Sequence, residues 1–495
     1  DDEEIELGTD PEKADTDNDG VSDGQELIDS SDPLDPGSVL LTLPSSICTE
    51  WNGFLGTESN PGMYNILENL NNSGSTLSAT ASLYDNSGEL QSSLGFSVAS
   101  GAQQDLLVHD MGGFLPDTIG QVCVNHSGNA GDLDGRMVLY QPSLTPGAAS
   151  DEFQFAYAMP YGAGLPGDQY VPFNTANPSL NTADYGNLVA NWIQITNRTG
   201  NTQNGTLRFY GMSGELLGST ALSIPASARS DVSGHQWGPW QVGLVAWEPV
   251  DQSAMFTLRN VRYFYDNPGS VASFITAFQL TGAKGSGQEL IAALDTSTGS
   301  SIVEMMNVSS ASITVAIAIY NQSGILVSQT SRDIGPKASY HLITDSILDG
   351  QKGTVKLASN VNGSLLAVVM QYGRDDAGSL QYLFGHHAAE PLGVVFRSSY
   401  NTFLSQGCRL TVANASPTSQ LVTFSLTRWD GTVVASGITR TIAGNGLLDE
   451  NLCMYETTNQ YGVVTVQGTN PNSLYGFVRR IGKNNQYHFP TALRQ

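Results

Sequence analysis

Apolar and polar residues alternate with a period of two in short segments along most of the chain after residue 38. Four of these segments share one register, in which apolar residues stand five and seven positions before a glycine. The sets are Leu83 and Ala81 before Gly88, Phe209 and Leu207 before Gly214, Ile319 and Ile317 before Gly324, and Leu426 and Phe424 before Gly431. This alternation predicts strands with one buried face, and the glycine suits a tight hairpin turn. The pattern therefore predicts the same hairpin in four places.

Other signals repeat together with these hairpins. Asn69, Asn197, Asn307 and Asn414 each follow an apolar run and precede the turn glycine by 19, 17, 17 and 17 residues. A later strand opens at Gly120, Gly243, Gly353 and Gly462, and aromatic segments follow around Phe153, Phe274, Tyr382 and Tyr487. Four units of roughly 105 to 125 residues therefore follow each other, and this length and density of turns are typical of β-sandwiches.

The predicted fold is all-β, with four tandem immunoglobulin-like antiparallel β-sandwich domains. The predicted divisions are residues 39–148, 149–268, 269–378 and 379–495, preceded by a distinct segment at residues 1–38. Composition agrees with this fold, because charged residues make up only 14% of the chain. Soluble domains average about 25%, and short strands with many turns need fewer charged helix formers.

The net charge of −26 is concentrated at the start of the chain. Residues 1–37 contain 15 acidic residues and one basic residue, Lys13, which gives this segment a charge of −14. A polyanion does not attract phosphate backbones, so we do not expect this protein to bind nucleic acid. Divalent cations are the natural counterpart of such a segment.

Residues 15–26 fit the calcium-loop template D-x-D-x-D-G-x5-E without a mismatch. Alternate residues of a curled loop can direct their oxygens to one ion, and Gly20 permits the sharp turn. The predicted Ca²⁺ ligands are Asp15, Asp17, Asp19, the Val21 carbonyl, Asp23 and Glu26. Prolines at 11, 33 and 36 leave no room for the flanking helices of a calcium sensor, so the predicted site is structural.

The same segment repeats at a spacing of 22 residues, since residues 4–11 align with residues 26–33. Together with the loop, this run resembles bacterial thrombospondin type 3 repeats. The resemblance implies a calcium-stapled rod or linker on extracellular proteins, with the listed Asp positions as ligands. Because the loop that should precede Asp1 is missing, we expect the natural chain to extend further in the N-terminal direction.

Four cysteines, Cys48, Cys123, Cys408 and Cys453, allow three disulfide connectivities. The simplest hypothesis pairs Cys48 with Cys123 and Cys408 with Cys453, each within one predicted sandwich. Cysteine usage and the acidic composition favour an extracellular or cell-surface location. No run of about 18 apolar residues predicts a membrane span.

We do not expect an enzyme. The one GxSxG match lies inside the calcium loop, and His386 and His387 are predicted to be a surface pair on a strand. Trp237 and Trp240 share a loop and are candidate contacts for sugar rings, although such a loop more often closes its own domain.

The predicted function is that of an extracellular structural protein, a subunit or arm of a bacterial surface filament, sheath or surface layer with a calcium-rigidified joint. Tandem sandwiches are expected to form a semi-rigid rod that associates with further copies through sheet edges. The C-terminal segment at residues 487–495 is a candidate for pairing with the next subunit. The alternatives are a glycan-binding adhesin and the non-catalytic stalk of a larger secreted protein.

Overall fold

The computed structural model describes residues 9, 13, 16, 46–53, 62–113, 117–143, 148–149, 152–176, 189–238, 240–265, 274–375, 377–391 and 393–494. The chain forms two compact units, Asp1–Ser46 and Ile47–Gln495. The second unit contains 32 described strands. These strands form eight four-stranded sheets, which pair into four sandwiches.

The first two sandwiches each contain eight strands. Sandwich 1 comprises β1 (Ser46–Asn52), β2 (Tyr64–Asn71), β3 (Leu77–Asp85), β4 (Leu90–Val98), β5 (Gln103–Leu107), β6 (Ile119–His126), β7 (Leu133–Pro142) and β8 (Phe153–Pro160). Sandwich 2 comprises β9 (Gln169–Asn174), β10 (Val189–Asn197), β11 (Gln203–Gly211), β12 (Leu216–Ile224), β13 (Arg229–Ser233), β14 (Val242–Pro249), β15 (Phe256–Tyr265) and β16 (Phe274–Thr281).

The other two sandwiches have the same number of strands. Sandwich 3 comprises β17 (Leu290–Asp295), β18 (Gly299–Asn307), β19 (Ile313–Asn321), β20 (Leu326–Ile334), β21 (Ser339–Ile343), β22 (Lys352–Ser359), β23 (Leu365–Arg374) and β24 (Leu380–His387). Sandwich 4 comprises β25 (Val395–Asn401), β26 (Gly407–Asn414), β27 (Gln420–Arg428), β28 (Val433–Ile442), β29 (Leu447–Asn451), β30 (Tyr461–Gly468), β31 (Leu474–Ile481) and β32 (His488–Ala492). Single helical turns lie at Val108–Met111, Gly234–Trp237, Asp345–Leu348, Phe403–Ser405, Leu452–Tyr455 and Lys483–Asn485.

All four sandwiches have one topology. One sheet has the order first-sixth-third-fourth strand, as in β1-β6-β3-β4, and the other has the order fifth-second-seventh-eighth, as in β5-β2-β7-β8. The all-β class and the sandwiches are therefore confirmed. The strand order differs from the immunoglobulin order, in which the first strand pairs with the second and the second with the fifth.

The third strand of each sandwich explains the alternation in the sequence. In β3, β11, β19 and β27, every second side chain is buried against the facing sheet. Leu83 and Phe209, which stand five residues before their turn glycines, have no exposed surface. The predicted hairpins are the β3–β4, β11–β12, β19–β20 and β27–β28 pairs.

The repeated asparagine closes the turn after the second strand of each sandwich. The Nδ2 of Asn197 donates to the carbonyl oxygens of Asn201 and Ile224, and its Oδ1 accepts from the Thr199 amide at 2.9 Å. Asn71, Asn307 and Asn414 make the corresponding bonds. The equivalent residue in sandwich 1 is thus Asn71 rather than Asn69, and its spacing to Gly88 is 17 residues, as in the other copies.

The aromatic segments form the eighth strands. The strands β8, β16 and β24 pair with β7, β15 and β23, so each belongs to the sheet of the preceding sandwich. The predicted divisions at 148/149, 268/269 and 378/379 fall just before these strands, one strand earlier than the hydrogen bonding places the change of sheet. The C-terminal segment is likewise occupied, because β32 pairs with β31 and Phe489 is buried.

The four sandwiches close into a ring and do not form the expected rod. Around the centre of the unit, β8 lies against β16, β16 against β24, β24 against β32, and β32 against β8. Sandwich 4 therefore contacts sandwich 1 as well as sandwich 3. We call the four contacts between neighbouring sandwiches the 1/2, 2/3, 3/4 and 4/1 joints.

The hairpin turn after the third strand contributes to three of these joints. The carbonyl oxygens of Asn86, Met212 and Gln322 accept from the amides of Arg229, Ser339 and Leu447 in the next sandwich, at 3.1, 2.9 and 3.0 Å. A Cβ at Gly88, Gly214 or Gly324 would collide with the next sandwich's backbone, whereas at Gly431 it would meet open space. The turn glycines thus serve both the hairpin, through their positive φ, and the close approach of sandwiches.

Gly214→Ala should therefore destabilise the protein more than Gly431→Ala. Both glycines have a positive φ, of 90° and 84°, so both alanines carry a backbone penalty of about 1–2 kcal/mol. Only at residue 214 does the new methyl group also press on the Pro336 carbonyl, which should add about 1–3 kcal/mol. Thermal unfolding of both variants measures the difference. Equal melting temperatures would contradict the close contact at the 2/3 joint.

Candidate functional site

A buried carboxylate connects sandwich 1 to sandwich 2. Glu50 on β1 forms ion pairs with Arg198, with Nη2 2.5 Å from Oε1, and with Arg259. Arg229 lies beside them and donates to the Trp51 carbonyl oxygen at 2.8 Å. Burial alone would raise the pKa of Glu50, but the three arginines lower it to about 2. The carboxylate is therefore ionised, and losing its partners would leave an uncompensated buried charge.

A second buried carboxylate sits in the 4/1 joint. Glu68 on β2 pairs with Arg480 of β31 and accepts a hydrogen bond from the Ser399 hydroxyl at 2.7 Å. Arg136, opposite Glu68 on β7, donates to the same hydroxyl at 3.1 Å. Burial and the neighbouring Glu68 raise the pKa of Asp105 to about 8, so that carboxyl is mostly protonated at neutral pH. The joint that closes the ring is thus held by shared charges.

The remaining two joints are mainly apolar at their centres. In the 2/3 joint, Tyr170 and Val171 pack in one cluster with Val308 and Val368. In the 3/4 joint, an apolar cluster contains Ile291, Ala293, Leu447 and Phe477. Ion pairs flank this second cluster, including Arg479 to Asp295 at 3.2 Å.

Our sequence reasoning missed the buried charges, although the sequence contains a signal for them. Arginine interrupts otherwise apolar strands in LDGRMVLYQP of β7, FTLRNVRYFY of β15 and LYGFVRRI of β31. A charged residue inside a strand that is buried on both faces must find a partner away from water. These arginines could therefore have been marked as joint residues.

A cavity of about 300 Å³ lies where the eighth strands meet. All four sandwiches line it, with Arg136 from the first, Gln279 from the second, His387 from the third and Phe477 and Arg494 from the fourth. Such a cavity exists only in the closed ring, because no single sandwich supplies more than part of its wall.

The two adjacent histidines face this central region and are not the predicted pair on the outer surface. Nδ1 of His386 lies 2.6 Å from the Tyr475 hydroxyl oxygen, and its ring centroid lies 4.8 Å from that of Phe477. Burial lowers the pKa of His386 to about 3 and also lowers the pKa of His387. Both imidazoles are therefore neutral at neutral pH.

The two candidate sugar-binding tryptophans have different surroundings. The Trp237 indole packs on Phe209, with ring centroids 4.0 Å apart, and lies over Gly218, where a Cβ would collide with it. Trp240 is 46% exposed. Trp237 thus closes the end of its own sandwich, and the two indoles do not form one exposed face.

Sandwich 4 exposes another aromatic group that sequence reasoning did not single out. Trp429 is 46% exposed and Phe403 is 41% exposed. Both flank Tyr461, which stacks with Trp429 at a centroid distance of 6.3 Å and an angle of 21°. Trp429 belongs to the hairpin turn of Gly431, where a Cβ would meet no atom of the described residues within 4 Å.

The cysteines form two disulfides, each inside one sandwich. Cys48 on β1 joins Cys123 on β6, and Cys408 on β26 joins Cys453 in a single helical turn. A disulfide of this kind stabilises a domain by about 2–4 kcal/mol, mainly by restricting the unfolded chain. The two pairs occupy different positions in their sandwiches.

The predicted calcium ligands Asp15, Asp17, Asp19, Val21, Asp23 and Glu26 lie outside the described residues. Within the part of the chain that the structure does describe, no group of three or more His, Cys, Asp or Glu residues could hold a metal ion. None of the helices in that part is long and apolar enough to cross a membrane.

Comparison with known proteins identifies the acidic segment. Residues 15–36 match the bacterial TSP3 repeat. The resemblance seen in the sequence is thereby confirmed for this TSP3 repeat, which contains every predicted calcium ligand. TSP3 repeats belong to a calcium-binding, extracellular type of domain.

No curated protein matches the chain. Among solved structures, a calcium-binding mutant of Bacteroides uniformis β-glucuronidase 2 is 12% identical over 48% of this chain and 27% of that chain, with a TM-score of 0.11. A serine-rich repeat protein from Streptococcus agalactiae is 10% identical over 49% and 86%, with a TM-score of 0.11. A DUF4785 family protein from Legionella pneumophila is 9% identical over 66% and 89%, with a TM-score of 0.12. These scores carry no argument about fold or function.

The TSP3 repeat and the β-sandwich fold together suggest an extracellular, calcium-binding structural or surface protein. The predicted calcium ligands lie in the TSP3 repeat, whereas ion pairs and apolar clusters hold the ring together. The two parts should therefore respond differently to loss of the metal.

Asp17→Asn together with Asp19→Asn should weaken calcium binding by about tenfold or more, because each change removes a predicted carboxylate ligand. Titration calorimetry measures the affinity, and Asp251→Asn, on an exposed turn, is the matched control.

Chelating calcium from the unaltered protein should leave the main melting transition of the sandwiches unchanged, since ion pairs, apolar clusters and disulfides hold them. A large drop in that transition on chelation would contradict this division of roles.

Proposed function

We propose that this chain is a non-catalytic structural subunit of a bacterial extracellular assembly, such as a surface filament, sheath or surface layer. The TSP3 repeat supplies a calcium-rigidified segment, and the ring of sandwiches is a compact body that associates with further copies. The observation that supports association is that the fourth strand of each sandwich pairs with another described strand on one side only.

The fourth strand of each sandwich forms a sheet edge. In the strand orders, β4, β12, β20 and β28 are each the last strand of a sheet. All four have predominantly exposed or half-exposed side chains, and each begins on an exposed aliphatic residue. These residues are Leu90, Leu216, Leu326 and Val433, with exposed fractions of 54%, 53%, 46% and 61%.

Two of these edges lack charge and proline, two of the devices that usually prevent pairing, and the register is irregular only near the start of each strand, at Gln91 and Leu217. The nine-residue strands β4 and β12 contain no charged residue and no proline. Proteins that remain monomeric commonly place lysine, proline or a bulge on such an edge, because unpaired backbone groups template the addition of another strand. Strand addition at β4 and β12 by a second copy would satisfy their outer backbone groups and bury the aliphatic residues.

The double variant Leu90→Lys, Leu216→Lys should therefore lose self-association, while its free energy of unfolding should change by only about 0.5 kcal/mol, as for ordinary surface substitutions. Sedimentation velocity and negative-stain microscopy in calcium measure the assembly state. Val250→Lys is the matched control, since Val250 is 78% exposed and lies outside these edges. If the unaltered chain stays monomeric at all concentrations, or if Val250→Lys disrupts assembly equally, the proposal fails.

A glycan-binding adhesin is the second candidate, and the exposed aromatic group of sandwich 4 favours it. Trp429 is exposed, and its indole stacks in an offset arrangement with the ring of Tyr461. Phe403 stands at the start of a turn in which Leu404 and Ser405 have positive φ values of 53° and 60°. Strained backbone of this kind is often retained at ligand sites. We therefore place the candidate sugar contact at Trp429 instead of Trp237.

If the chain binds glycans, Trp429→Ala should weaken saturable binding on a polysaccharide array, because stacking on the exposed indole is lost. The change should weaken affinity by about tenfold, the scale of one aromatic contact. Trp240→Ala is the matched control, with the same exposed fraction of 46% in sandwich 2. Equal loss in both variants, or binding unchanged by Trp429→Ala, would argue against this site.

A further inference from the structure

The central cavity has an unusual electrostatic setting for a protein of charge −26. Arg136 and Arg494 line it, and the described lining includes no Asp or Glu. The two histidines of the lining are neutral at neutral pH. All fixed charges in the wall of the cavity are therefore positive.

The carboxylates behind this wall do not balance the arginines. Glu68 is shared between Arg136, at 3.9 Å, and Arg480. Arg494 pairs with Asp134 at 3.1 Å. Three guanidinium groups, of Arg136, Arg480 and Arg494, thus share the carboxylates of two acidic residues. An excess of positive charge around a partly enclosed cavity favours the binding of an anion that offsets it.

The remaining wall is predominantly apolar, with a few polar atoms at fixed positions. Leu280 and Phe477 contribute apolar surface, and the Nε2 of His387 is buried without a hydrogen-bond partner among the described residues. Small-molecule sites typically combine an apolar lining, a few polar groups and a volume of roughly 300–1,000 Å³. At 300 Å³, this cavity is at the lower end of that range.

We propose that the central cavity binds a small organic anion, a monocarboxylate with an apolar body, whose carboxylate is held by Arg494 and Arg136. Guanidinium groups match a carboxylate in shape as well as charge, and the apolar wall accepts the rest of the molecule. At roughly 30 Å³ for each water-sized group, the cavity holds a ligand of about ten non-hydrogen atoms. Because all four sandwiches line the site, bound ligand also stabilises the closed ring.

Benzoate and benzamide are the probes, since they share size and shape and differ in charge. Titration calorimetry on the full chain should show one saturable benzoate site, with benzamide weaker by about tenfold or more. Benzoate should also raise the melting temperature of the ring. Equal affinity for the two probes, or no saturable binding of benzoate, would overturn the proposal.

Two variants locate the site. Arg494→Gln should weaken benzoate binding by about tenfold or more, whereas Arg332→Gln, which removes a charge from β20 outside the cavity, should not change it. Ala492→Phe fills space from an exposed position in the cavity wall and should abolish binding without disturbing the core. If Arg494→Gln does not fold, Ala492→Phe decides the question. Unchanged benzoate affinity in Ala492→Phe, or equal losses in Arg332→Gln and Arg494→Gln, would place the ligand elsewhere and refute the proposal.

Discussion

The closed ring depends on charges that only neighbouring sandwiches can satisfy. Glu50 and Glu68 lie in strands of sandwich 1 and are almost fully buried, yet their main partners belong to sandwiches 2 and 4. A buried ion pair adds little net stability compared with apolar packing, but removing one partner is strongly unfavourable. The buried carboxylates of sandwich 1 therefore have their ion-pair partners only when sandwiches 2 and 4 are both docked against it. The whole unit therefore needs both the 1/2 joint and the 4/1 joint in order to fold.

The joints are related because they reuse the same positions of one topology. Arg136 and Arg259 occupy the same place on the seventh strands of sandwiches 1 and 2, three residues after the partner of the turn asparagine. Each reaches back to the first strand of the preceding sandwich, Arg259 to Glu50 and Arg136 to Ser399. In sandwiches 3 and 4 the same position holds Val368 and Phe477, within apolar clusters. Side chains thus distinguish joints whose backbone geometry is repeated.

Much of the local structure followed from the sequence, because local physics determines it. Alternation predicted the buried face of β11, and the glycine at 214 predicted a turn with positive φ. The repeated asparagine also predicted a turn correctly in each sandwich. In sandwich 1, however, Asn71 makes the bonds to the turn, whereas Asn69 accepts a hydrogen bond from Tyr161. The TSP3 repeat could be recognised from the sequence because its motif specifies the residue type at every second position of the loop. In each case, neighbours in the sequence are neighbours in space.

The ring and its cavity could not be predicted in the same way. Their contacts join residues such as Glu68 and Arg480, which are 412 positions apart, and no periodic pattern records that distance. The same limitation explains why the histidine pair and the eighth strands were misplaced, since an aromatic strand beside a domain boundary suits either neighbour. One feature of the sequence does indicate ring closure indirectly, namely the presence of arginine within apolar strands. An unpaired arginine in a buried strand requires a distant acid, and one acid shared by two such strands implies that the sandwiches bearing them meet.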